Sequence, residues 1–101
     1  MLLFNIKHME DKIMAEWVMD SNITIRLDSN RDDANREGAH CNVIKRGIGR
    51  VGRLVVTKSG SVYWSSTPDG NINRNTQNEI ESFVRSKAWE IIEEYANIRN
   101  S

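Results

Sequence analysis

Two histidines and one cysteine are all the imidazole and thiol chemistry in this 101-residue chain. His40 and Cys41 are adjacent, and a thiol beside an imidazole base is a pairing that nucleophilic catalysis uses. Adjacent residues on a β-strand project from opposite faces, however, and Cys41 and Val43 open a strand-like stretch. The pair therefore cannot exchange a proton, and Cys41 reads as a buried structural thiol, as free cysteines usually are. His8 reaches Cys41 only through tertiary folding that nothing in the sequence demands. His40 follows a polar loop carrying Asp32, Asp33 and Glu37. That setting keeps a ligand- or metal-dependent role open for it, beside the role of a surface or strand-edge histidine. One Cys and two His cannot build a four-ligand Cys/His zinc site.

Two further patterns imitate ligand loops. Gly47-Ile48-Gly49-Arg50-Val51-Gly52 has the G-x-G-x-x-G form of a dinucleotide fingerprint. That fingerprint works only where the glycines open a helix whose N-terminus receives a pyrophosphate. Here Leu54-Val55-Val56-Thr57 follows, which is strand-forming, so the glycines read as a hairpin turn. Asp28-Ser29-Asn30-Arg31-Asp32 imitates half of a calcium loop, but Asp33 and Ala39 stand where such a loop requires Gly and a bidentate Glu. The expectation is no catalytic residue set, no metal and no cofactor.

Charge is the remaining signal. Fourteen Lys and Arg balance fourteen Asp and Glu, so no global field draws the chain to nucleic acid or anionic lipid. Its distribution is uneven: Arg36, Lys45, Arg46, Arg50, Arg53 and Lys58 sit between residues 34 and 58 with Glu37 as the one acid. With Tyr63 or Trp64 on the next strand to stack on bases, Lys45, Arg46, Arg50 and Arg53 form a candidate phosphate-binding hairpin. Strict alternation places Arg50 and Arg53 on opposite faces, which favours the alternative of a solvated basic hairpin facing an acidic helix. Trp89 lies off the apolar stripe of the last helix, either as an interface anchor or packed under an N-terminal helix.

The elements that would position these groups follow from periodicity. Ile6, Met9, Ile13 and Trp17 are three and four apart, which predicts a short amphipathic helix over about residues 5–17. Ile23, Ile25 and Leu27 alternate with polar residues as in a half-buried strand. Residues 28–39 read as a loop, Cys41 and Val43 open a second strand, and Arg50–Thr57 forms a third. Lys58-Ser59-Gly60 supplies a turn, Val62-Tyr63-Trp64 a fourth strand, and Thr67-Pro68-Asp69-Gly70 another turn. Ile80, Phe83, Val84, Ile91, Ile92, Tyr95 and Ile98 predict one long C-terminal helix over 76–99, with Thr76-Gln77-Asn78-Glu79 as its capping box and Glu81–Arg85 as an exposed pair. The fold class is α+β: a short N-terminal helix, a three- to four-stranded antiparallel sheet, and a long amphipathic helix packed on it. All of 1–101 forms a single domain, with a helical extension at 1–21 and the sheet at 22–66.

With Ile23–Leu27, the polar loop and Gly38-Ala39-His40-Cys41-Asn42-Val43 in view, the chain resembles a family of small bacterial domains of unknown function. Their hallmark is a Pro-Pro-His-x-His-Val segment leading the second strand, and a late Trp in the final helix. The resemblance covers about residues 22–98. His40 matches the first histidine of the hallmark and Val43 its valine; Asn42 replaces the second histidine, and Gly38-Ala39 replace the prolines. The resemblance implies half of any paired-histidine site, and a setting among toxin–antitoxin or mobile-element modules.

These readings favour a non-enzymatic cytoplasmic module that binds a protein partner in an antitoxin-like or regulatory role, with Trp89 and the exposed loop before His40 as its candidate contacts and His40 and Asn42 among the candidate binding residues. RNA or DNA binding through the basic hairpin is the alternative. The helix–strands–helix order is similar to that of double-stranded RNA binders, without their lysine cluster near the start of the last helix. An enzyme using His40 and loop carboxylates is the third possibility. No apolar run reaches the roughly 18 residues of a membrane span, and the first residues lack the charged leader and apolar stretch of a secretory signal.

Overall fold

A computed structural model of the protein describes residues 15–27, 38–66 and 68–100, with the side chains of 98–100 excepted. Five strands, β1 (Ala15–Val18), β2 (Ile23–Leu27), β3 (Ala39–Lys45), β4 (Gly49–Val56) and β5 (Val62–Ser66), precede two helices, α1 (Arg74–Ser86) and α2 (Ala88–Asn100). The strands form one antiparallel meander in chain order. Ile23, Ile25 and Leu27 are buried while Thr24 and Arg26 are half-buried, the period-two pattern that commits one face to a core. In register across that face stand Ala15–Leu27–Cys41–Leu54–Trp64 and Trp17–Ile25–Val43–Gly52. Ile80 and Val84 of α1, and Ala88, Ile91 and Tyr95 of α2, complete a single cluster with them. Each large side chain so enclosed contributes roughly 1.5–3 kcal/mol relative to an exposed one.

The sheet has five strands rather than three or four, because residues 15–17 of the expected N-terminal helix are strand. Ala15 and Trp17 turn toward the core, Glu16 and Val18 away from it, and each pairs with β2. The i, i+4 spacing of Ile13 and Trp17 fits either element, and the open edge of β2 decided in favour of pairing. The rest of that expected helix, and the loop ending before Gly38, lie outside the described residues.

The expected single C-terminal helix is two. The chain leaves helical geometry at Lys87 (φ −107°, ψ 7°), whose N–H bonds to the carbonyl of Val84 at 3.0 Å. α2 restarts at once, with Ile91 N–H donating to Lys87 O at 3.0 Å. The helical start also moves. Asn73, not Thr76, is the N-cap: its Oδ1 accepts from the Thr76 backbone N–H at 2.8 Å, satisfying one orphan donor of the first turn. The Glu81–Arg85 pair forms at 3.7 Å. Among the described residues no helix is long and apolar enough to cross a membrane.

Candidate functional site: the sheet face away from the helices

Both helices cover the face carrying Ile25, Val43 and Leu54; most of the charged residues of β2–β4 belong to the other face, whose centre is closed off at the fully buried Val55. Its residues align in three cross-strand rows. Val18–Thr24–Ile44–Arg50 lies toward the β3–β4 turn, Glu16–Arg26–Asn42–Arg53–Ser66 crosses the middle, and His40–Val55–Tyr63 lies beyond.

A β-bulge makes this arrangement possible. Asn42 pairs with Arg53 and Val43 with Gly52, but Ile44 pairs with Arg50, so Val51 is an extra residue on β4. The inserted residue shifts the phase of alternation by one. Arg50 and Arg53 consequently project from the same face, where strict alternation separates them. The buried Val51 side chain enters the core cluster. The glycines of the G-x-G-x-x-G segment serve this hairpin. Gly47 and Gly49 hold φ of +82° and +111° in the turn, a region costly for other residues. Gly52 leaves room for the Trp64 indole, whose Cζ3 would lie 2.7 Å from a Cβ built there.

The centre of this face is partly filled. Val55 is fully buried, outside the main cluster, and His40, Asn42 and Arg53 are half-buried. Both ring nitrogens of His40 and Oδ1 of Asn42 are shielded from solvent, and His40, Asn42, Arg53 and Tyr63 are each engaged with neighbours. Arg26 Nε donates to Glu16 Oε1 at 2.7 Å. Exposure lies at the rim: Arg46 in the turn, Arg50 at the end of its row, and Tyr63 with 41% of its surface accessible.

The residues singled out from sequence divide accordingly. Arg46, Arg50, Arg53, His40 and Asn42 share this face or its turn. Lys45 and Trp64 do not. Lys45 Nζ donates to the Asn71 carbonyl at 2.6 Å, tying the end of β3 to the connection before α1. Trp64 is half-buried under α1 and donates its Nε1–H to Glu81 Oε2 at 2.6 Å. Trp89 is 68% exposed in the first turn of α2, its ring against Gly60 of the β4–β5 turn. It is thus on the helix side and at the end of the sheet opposite Arg50. Arg26 was missed by residue type alone, although its parity with Ile25 and Leu27 already turned it outward. The bulge had one sequence signal, a glycine inside a strand.

The adjacent His40 and Cys41 do not form a catalytic pair, and Asp32, Asp33 and Glu37 lie outside the described residues. His40 and Cys41 project from opposite faces, and burial pushes the Cys41 thiol from about 9 up to about 12, with the Arg53 charge pulling the other way. It holds its proton at neutral pH and is no nucleophile. Among the described residues, no three His, Cys, Asp or Glu side chains gather as a metal site. His40 and Asn42, two residues apart on β3, share the outer face. A cleft of about 440 Å³ between β1 and α2 is lined by Trp17 with Glu16, Glu90, Glu93 and Glu94. Trp17 Nε1–H donates to Glu90 Oε1 across it at 3.3 Å. No family model, curated protein or solved structure matches the chain.

Proposed function

We propose that the protein is a non-enzymatic nucleic-acid-binding domain that uses the outer sheet face and the β3–β4 turn. One observation carries the reading: the bulge at Val51 brings Arg50 and Arg53 to one face, next to Arg46 in the turn. The stretch from Gly38 to Lys58 carries no acidic residue of its own. Guanidinium groups grouped in this way suit phosphate oxygens, and phosphate contacts supply most of the affinity of such complexes. Trp89 stands on the other side of the molecule from His40 and Asn42, so these three cannot form one contact patch.

The test is fluorescence anisotropy of labelled RNA and DNA across a salt series. If Arg46, Arg50 and Arg53 each neutralise one phosphate, log affinity should fall against log salt with a slope of about −2 to −3. Absence of binding at low salt removes the reading.

A further inference from the structure

The width of the face and the position of its aromatic ring choose between kinds of nucleic acid. A side-by-side sheet of five strands is about 19 Å across, whereas the DNA major groove is about 12 Å wide and admits a helix or a two-stranded ribbon. The β3–β4 hairpin is flanked by β2 and β5, so it cannot enter a groove as a free ribbon. Both helices bury their apolar faces on the other side. A duplex therefore meets this surface through its backbone alone. Tyr63, in contrast, is an aromatic residue with 41% of its surface accessible on the same face as Arg50 and Arg53. From the Arg50 row to the Tyr63 row are two same-face steps along the strands, about 13 Å. A strand with unstacked bases can span that interval, with a phosphate at one end and a base on the ring at the other. Aromatic rings accept any base in this way.

We infer that the ligand of this face is a single-stranded nucleic acid, with phosphates held at Arg46 and Arg50 and a base stacked on Tyr63. The inference rests on the nucleic-acid reading above. Its probes are a short labelled oligo(U), the matching oligo(dT), and a duplex of the same length. The single strands should bind at least about fivefold more tightly than the duplex. Tyr63→Leu, which keeps apolar volume without a π face, should weaken single-strand binding at least about fivefold, and Tyr63→Phe should preserve it. Thermal melts establish that both variants fold. Equal binding of duplex and single strand, or an unchanged affinity in folded Tyr63→Leu, overturns the inference while an Arg50-dependent salt slope keeps the broader reading. No binding to any probe at low salt overturns both.

Discussion

Cys41 stands in a cross-strand row between Leu27 and Leu54, and this placement turns a reactive residue type into core. Its raised pKa has a consequence for stability. Below about pH 7.5 the thiol is protonated in both folded and unfolded chains and contributes almost nothing to pH dependence. As pH rises from about 9 toward 12, the unfolded chain ionises while the folded one holds its proton, so stability falls by up to about 1.4 kcal/mol per pH unit. Denaturant midpoints of wild type and Cys41→Ala should differ by a constant up to about pH 7.5, and the wild type should lose ground above pH 9. A difference that stays flat to pH 11 contradicts this account. Gly52 makes a second case. A methyl group there meets the Trp64 ring, which its bond to Glu81 holds in place. Gly52→Ala should cost about 1–3 kcal/mol, read as a lower Tm, and much less when combined with Trp64→Leu, since the two side chains share one space.

At the scale of elements, the start of α1 separates two accounts of the same segment. The Thr76-x-x-Glu79 spacing has the form of a capping box, yet Asn73 supplies the cap. Asn73→Ala should therefore lower stability by about 1 kcal/mol, and Thr76→Ala by clearly less; equal costs in chemical denaturation would return the cap to Thr76. β2 was legible because one buried face forces alternation at Ile23, Ile25 and Leu27, and β3 to β5 because strand-forming residues lie between glycine and proline turns. β1 was not, since its four residues carry only Ala15 and Trp17 on the core side and the spacing to Ile13 imitates a helix. The break at Lys87 was hidden for another reason: Ile80, Val84, Ala88, Ile91 and Tyr95 keep an unbroken helical period through it. Of the candidate site, the residue types were legible and their grouping was not. Whether Arg50 and Arg53 share a face depends on one inserted residue in the register with β3, a property of two strands rather than of either alone.

For the whole molecule, a formal charge of zero means that any affinity for phosphate must arise locally. The sheet separates the arginines from the acids of the helices, and stacked layers lie about 10 Å apart. That distance is close to the Debye length of about 10 Å at 0.1 M salt. Glu79, Glu93 and Glu94 are therefore largely screened from a ligand on the outer face, whereas a charge placed within the arginine group is not. Arg50→Glu tests this directly. Arg50 is exposed at the end of its row, so reversal should leave the melting temperature within a few degrees of wild type while abolishing measurable binding. Lys45→Ala should do the opposite. Its ammonium bonds to Asn71 O on the helix side, so its loss should lower stability and leave the salt slope of binding unchanged. If the Lys45 variant reduces that slope by about one contact and the Arg50 variant does not, the binding surface is on the helix side of the sheet and the bulge has no part in it.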